Sequence, residues 1–453
     1  MTKDIPKFGG YHRQITVEED RELTHVGAGT PGGEYLRRFW HPIALASELG
    51  ATPLAIRILG EDLVLFRDLS GRVGLLHRHC SHRGASLEFG IPSARGIRCC
   101  YHGWLYDIDG TVLETPSEPA DSQIRARLCH GAYRTHEYGG LVFAYMGPPA
   151  ETPPFPIYDC WESWPQPNRL VPYKIPTPCN WLQAHENGAD PIHTAYLHAI
   201  VSGVQFSPSF TALPMIDFLE TPIGLLAIGT RRCGDNLWIR ASDVILPNAA
   251  QFGTGFVDGS REKFAVCAWL SRWIVPIDDR SSYSIGLRHF NSVIDPRGEG
   301  REDLIGFGMT DFMGQTAERP YLERQKSPGD YDALVGQRSV AVHANENLAS
   351  TDRGVAMVRR QVRAGIRALA EGRPLSLPQR YERVVPTYNA EIILAVPAAA
   401  GDDAALVRAF GRRTGEIVIR SGELPPGERH RRIEADVREM VNSGRLLAET
   451  TDG

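Results

Sequence analysis

The stretch CSHRGASLEFGIPSARGIRCCYHGW, residues 80–104, holds two cysteine–histidine pairs, Cys80-Ser81-His82 and Cys99-Cys100-Tyr101-His102. Written as a pattern it is C-x-H, a spacer of sixteen residues, then C-x2-H, and each half is short enough to sit in one tight loop. The chain around it has 453 residues, 42% hydrophobic and 23% charged, with a formal net charge of −5. That length allows two or three domains and a large core. The mild acidity gives no electrostatic reason to expect a nucleic-acid partner. The start, MTKDIPKFGG, lacks the apolar stretch of a signal peptide, and no run approaches the ~18 apolar residues of a membrane helix. The expectation is a cytoplasmic protein with no membrane partner. Its eight cysteines (80, 99, 100, 129, 160, 179, 233 and 267) then read mostly as free thiols rather than disulfides.

A mixed cysteine and histidine donor set suits zinc as well as iron. Zinc fingers, however, usually pair cysteine with cysteine and histidine with histidine, whereas here each loop contributes one of each. Two thiolates on one iron and two imidazoles on the other define a Rieske [2Fe–2S] centre. On this reading Cys80, His82, Cys99 and His102 are the ligands, and Cys100 is a passive neighbour. Gly84 and Gly103 permit the loop bends, and the flanking rings and N–H groups shield the sulfurs.

Working outward, residues 15–40 read as a turn-rich lead-in and a short helix ending near Trp40. Residues 54–80 alternate apolar and polar positions with turn signals at Gly60-Glu61-Asp62 and Ser70-Gly71, a β-meander pattern. The stretch YHGWLYDIDGTVLETP continues it through a hairpin turn at Asp109-Gly110. A Pro-rich stretch, residues 147–167, reads as a linker. Strand-like runs follow between about 218 and 292, and residues 353–372 and 431–444 look helical. The expected class is α+β: an all-β cluster domain, then a larger domain of antiparallel sheet with surrounding helices. The boundaries fall as lead-in 1–40, cluster domain 41–150, linker 151–170 and catalytic domain 171–453.

The segment NWLQAHENGADPIHTAYLHA, residues 180–199, is helix-like on both sides of Asp190-Pro191, with Asp190, His193 and His198 as candidate ligands. Five residues on a regular α-helix turn through about 500°, leaving the two rings about 140° apart. One metal ion cannot take both from an unbroken helix, but a π-bulge or kink would bring them together. Asp190, three residues before His193, is near enough to accept its second ring N–H. His185 reads as pocket lining or support.

At this point the chain resembles the Rieske non-haem iron oxygenases, on C-S-H-R-G, C-C-Y-H-G-W and N-W-L-Q-A-H-E-N-G-A-D-P-I-H-T-A-Y-L-H. The resemblance implies a helix-grip-like catalytic domain and a mononuclear Fe(II) held by two histidines and a downstream carboxylate. His193 and His198 fall on the histidine ligands, and Asp190 on the aspartate that bridges toward the cluster of a neighbouring subunit. Asn180 and Asn187 match family positions as packing and supporting groups. Counting back from Glu346-Asn347-Leu348 and Thr351-Asp352 gives Asp330 as the carboxylate, with Asp332 as its rival. The resemblance also implies a head-to-tail homotrimer, or stacked trimers. NAD(P)H electrons would arrive through a separate reductase or ferredoxin, since no convincing G-x-G-x-x-G follows a strand.

The resemblance lies nearest the phthalate dioxygenase-type branch and its aryl O-demethylases. That implies O2-dependent demethylation of a methoxylated aromatic acid. Ring dihydroxylation of an aromatic acid or diaryl ether is the alternative, and a Rieske electron-transfer protein without oxygenase activity the alternative of another class. Arg231, Arg232, Arg240 and Arg288 lie in the strand region that should line a pocket, but read as solvated strand residues. Phe206, Phe210, Trp238 and Trp273 read equally as core or pocket.

Overall fold

The structure is a computed structural model that describes residues 7–13, 15–162, 168–255, 262–295, 298–378, 384–444 and 446. The first half of the chain supplies ten strands: β1 (Trp40–Leu45), β2 (Leu54–Ile58), β3 (Glu61–Arg67), β4 (Val73–His77), β5 (Ile91–Pro92), β6 (Ile97–Arg98), β7 (Leu105–Tyr106), β8 (Val112–Glu114), β9 (Ala132–Tyr138) and β10 (Leu141–Tyr145). They form a six-stranded antiparallel sheet in the order β1-β10-β9-β4-β3-β2 and a small sheet β5-β6-β7-β8. The small sheet is inserted between β4 and β9, so both cysteine–histidine loops stand at one end of the domain. Asp109-Gly110 turns between β7 and β8, with Gly110 at φ 86°.

The second half supplies β11 (Arg169–Thr177), β12 (Met215–Thr221), β13 (Gly224–Cys233), β14 (Asn236–Ile245), β15 (Ala249–Phe252), β16 (Lys263–Ala265), β17 (Leu270–Asp278), β18 (Ser281–Phe290) and β19 (Ala390–Ala395). The main order is β11-β18-β17-β15-β14-β13-β12, with β19 added on β14 and β16 on β19. With the helices Arg353–Ala370, Asp403–Arg420 and Pro426–Asn442 this gives the expected α+β architecture. The middle helix is absent from the sequence reading. Its Gly411, Thr414, Gly415 and Val418 are poor helix formers, and the glycines are there for packing. A Cβ at Gly411 would stand 2.0 Å from Thr230 Oγ1, and one at Gly415 would stand 2.4 Å from Ile228 Cδ1. The helix lies that close to β13.

The two sheets share one core. Leu59 and Gly60 donate backbone N–H groups to the carbonyls of Pro276 and Ile277 at 2.9 Å each. The buried Lys174 pairs with Glu48 at 3.1 Å. Within 151–162, Phe155 and Tyr158 pack with Trp161, which meets Phe143 and Trp273 of the two sheets. Ile157 and Asp159 exchange backbone hydrogen bonds with Val385. The Asp159 carboxylate pairs with Arg429 of the last helix at 2.5 Å, both side chains under 10% exposed. Removing one partner of a buried ion pair strands the other charge, at a cost of about 3–5 kcal/mol. Arg429→Ala is expected to lower the unfolding free energy by that amount in denaturant titration, whereas Arg432→Ala, on the exposed side of the same helix, should leave it within about 0.5 kcal/mol. Among the described residues, no helix is long and apolar enough to cross a membrane.

Candidate redox and metal centres

The two cysteine loops repeat one backbone plan. The Gly84 N–H donates to the Cys80 carbonyl at 2.8 Å, and the Gly103 N–H to the Cys99 carbonyl at 3.1 Å. Both glycines sit at φ 74°, a left-handed conformation that glycine adopts without steric cost. Cys80 and Cys99 are buried, Cys100 is exposed, and all three are free thiols. The His82 and His102 rings lie 4.5 Å apart, and His82 stacks on Trp104 at 4.6 Å. Tyr106 Oη stands 3.0 Å from Cys80 Sγ. Burial, with Cys80 beside it, pushes the Cys99 thiol up. Two crowded thiols and a buried His82 Nδ1 without a partner among the described residues fit a cluster that takes two thiolates and two imidazoles.

The second centre is built on a local defect. Helix Trp181–Glu186 gives way to a 3₁₀ turn at Asn187–Ala189, and the chain re-enters a helix at His193. Residues Tyr196–Ile200 are a π-helix, and the Val201 N–H donates to the Tyr196 carbonyl at 2.8 Å. The widened turn answers the awkward five-residue spacing: the His193 and His198 rings are 5.2 Å apart. Asp330, at the start of helix Asp330–Val335, places Oδ1 3.6 Å from His193 Nε2 and 3.5 Å from His198 Nε2. One ligand atom from each of the three lies within 4.8 Å of the others, so the set could hold a metal ion.

Asp332 is elsewhere: Arg324 binds its carboxylate at 2.6 Å, and it accepts the Gly329 N–H at 3.0 Å. Asn187 Nδ2 donates to Asp330 Oδ1 at 3.1 Å and lies 3.3 Å from His193 Nε2. Gln205 Oε1 accepts from His198 Nδ1 at 2.8 Å, which leaves Nε2 as the free lone pair. Gln315 Nε2 donates to Asp330 Oδ2 at 2.7 Å. Neither glutamine was found from sequence, because an isolated Gln carries no spacing signal. Burial works against ionisation of Asp330, yet the two histidines, Gln315 and Arg272 hold its carboxyl below the usual range. Asp190 Oδ1 accepts the Ile192 and His193 N–H groups at 3.0 and 3.3 Å, and Oδ2 stands 3.6 Å from His193 Nδ1. His185 is buried beside Trp181 without a partner for either ring nitrogen among the described residues, and burial, with Arg272 nearby, lowers its pKa to about 3.

A cavity of about 80 Å³ opens on His193, His198 and Asp330, and an outer chamber of about 560 Å³ shares part of its wall. Phe206, Phe210, Trp269 and Phe312 line both. Trp238 lies beneath Phe210 at 4.8 Å, and Trp273 belongs to the aromatic core. The four arginines are a correction, because none is a freely solvated strand residue. Arg231 is 1% exposed, Arg288 is buried against Asp311 at 2.6 Å, Arg232 pairs with Asp403, and Arg240 lines the cavity. The sheet is covered on both faces, by the histidine segment on one and helix Asp403–Arg420 on the other. A polar residue on either face is therefore enclosed.

Residues 39–132 match the Rieske [2Fe-2S] domain. The chain is 41% identical over 444 residues to the tert-butanol monooxygenase / tert-amyl alcohol desaturase oxygenase subunit of Aquincola tertiaricarbonis, covering 93% of this chain and 94% of that one. It is 34% identical over 372 residues to the 5,5'-dehydrodivanillate O-demethylase oxygenase subunit of Sphingobium, covering 79% of this chain and 82% of that one. Among solved structures, the NdmA QL mutant of Pseudomonas putida CBB5 with caffeine superposes with a TM-score of 0.53 at 20% identity, covering 76% of this chain and 94% of that one. The chain belongs to the Rieske non-haem iron oxygenases, as an oxygenase subunit. A Rieske [2Fe–2S] cluster and a mononuclear iron are the cofactors, and the two donor sets fit them.

Proposed function

We propose that this oxygenase removes the methyl group of a methoxylated aromatic acid. The observation that carries the reading is the aromatic-walled cavity, with three arginines in its wall, that ends on His193, His198 and Asp330. The balance is one methyl aryl ether, one O2, two electrons and two protons giving one phenol, one formaldehyde and one water. When bound, the cluster supplies single electrons and the iron activates O2.

Cys80, His82, Cys99 and His102 hold the first group, and His193, His198 and Asp330 the second. Gln205 and Gln315 fix the orientation of His198 and Asp330, as supporting hydrogen bonds do at metal sites. Phe206, Phe210 and Trp269 exclude water and hold an aromatic ring with its methoxy carbon toward the three ligands. Asp190, 31% exposed on its side chain, faces a separate groove of about 690 Å³ that it shares with His193. That groove is where a neighbouring subunit's cluster domain docks in a head-to-tail trimer, with Asp190 between the two centres. Electrons come from NAD(P)H through a separate reductase or ferredoxin.

The test is formaldehyde release from a panel of methoxylated aromatic acids by the reconstituted protein with O2 and a surrogate reductase. Release that requires O2 supports the reading, and no release from any member contradicts it. A second reading, hydroxylation of a small branched alcohol, is favoured by the 41% identity to the tert-butanol monooxygenase subunit. It predicts that tert-butanol in the same panel is consumed while no aromatic acid is.

A further inference from the structure

Three guanidinium groups, of Arg231, Arg240 and Arg272, face the inner cavity from one side of the sheet. Cross-strand register sets Arg240 opposite Gly229 and Arg272 opposite Gly286. Arg231 and Arg272 are buried and Arg240 is half-buried; among the described residues none of the three has a carboxylate within 4.0 Å, whereas the buried Lys174, Arg288 and Arg429 each have one. The charge of Asp330 is committed to the metal ligands. Burying a guanidinium without a counter-ion is costly, so a site that keeps three of them favours an anion from outside.

Two of the three have work to do within the protein. Arg231 donates to the Ala212 carbonyl at 2.9 Å and to Thr194 Oγ1 at 2.6 Å, tying the sheet to the residue after His193. Arg272 reaches Asn187 Oδ1 at 3.5 Å and so holds the amide whose other end meets Asp330. Arg240, unlike these two, bonds to nothing near the histidine segment among the described residues. Its Nη2 reaches the Gly253 carbonyl at 3.4 Å, and its buried Nε, like that of Arg272, has no partner among the described residues. Glu391, opposite Arg240 in the β14–β19 register, is already engaged by Lys263 at 3.2 Å and Thr254 at 2.7 Å. Arg240 also stands where the inner and outer chambers meet, since it lines both.

Resting on the proposed function, we propose that Arg240 is the specificity-determining anchor for a substrate carboxylate. A planar guanidinium with unfilled donors binds a carboxylate through two parallel hydrogen bonds. With the acid group held at the junction of the chambers, the ring lies among Phe206, Phe210 and Trp269, and its far substituent enters the inner cavity. The arrangement selects aromatic acids over neutral alcohols and esters.

The test is equilibrium binding to the oxidised holoenzyme, without turnover, of benzoates bearing methoxy, hydroxy or phenoxy groups, each paired with its uncharged amide of the same shape. At least one acid is expected to bind about 10- to 100-fold more tightly than its amide. Arg240→Gln should erase that preference by weakening the acid alone, and Arg240→Lys should restore part of it. Cluster absorbance and thermal unfolding check that the variants fold. If the amides bind as well as the acids in the wild-type protein, or Arg240→Gln keeps the preference, the proposal is overturned. The wild-type comparison stands even if both variants fail to fold. Arg240-dependent acid binding without formaldehyde release would overturn the demethylation reading and leave this one intact.

Discussion

His193→Ala is expected to abolish turnover while leaving the iron–sulfur chromophore unchanged. The imidazole is one of three ligand atoms within 4.8 Å of one another, and two donors do not make a facial triad. The cluster loops belong to another sheet and take no ligand from the histidine segment. Metal analysis should therefore fall from three iron atoms per chain to two, with acid-labile sulfide and the visible spectrum retained. Persisting turnover, or loss of the chromophore with the third iron, would refute the assignment of the two centres. Asp332→Asn is the control. Because Arg324 and the Gly329 N–H already hold that carboxylate, it should keep the third iron.

The second large effect belongs to Asp190→Asn. The amide keeps Oδ1, which accepts the Ile192 and His193 N–H groups, so the helix start is preserved. What is lost is the charge and the acceptor at Oδ2, 3.6 Å from His193 Nδ1. Misorienting a ligand in this way costs about 10- to 100-fold in activity. A role only as a brace for His193 would stay within that range. The account predicts a loss beyond about 100-fold with all three irons present. The cluster should still be reduced by the reductase, then fail to reoxidise when substrate and O2 are added. Normal reoxidation would sink the bridging role.

The parts of this chain legible in sequence are those where chemistry restricts spacing. C-x-H and C-x2-H each have to close one loop, and the glycine four residues after each cysteine is the mark of that closure. The five-residue step from His193 to His198 is incompatible with a regular helix and so called for a π-bulge or a kink; the structure has a π-helix at Tyr196–Ile200. Asp330 was reached only by counting from landmarks, because a lone carboxylate after Pro-Gly has no local pattern. Burial of the arginines was not legible. Alternation along β13 and β14 reports which face a residue is on, and it does not reveal that both faces are covered. Helix Asp403–Arg420 was missed for the same kind of reason: its glycines answer to Thr230 and Ile228 across the interface rather than to helix propensity. Strand β11, carrying Pro172 and Pro176, was also missed. It lies at the sheet edge, where a missing N–H is tolerated.

The most direct test of the central claim is a single turnover of prereduced protein with a methoxylated aromatic acid and ¹⁸O2, without reductase, followed by mass analysis of the phenol. Attack on the methyl carbon leaves the original aryl–oxygen bond intact, so the account predicts an unlabelled phenol with formaldehyde in equal amount. A phenol or diol carrying ¹⁸O on the ring would contradict it and make the protein a ring hydroxylase.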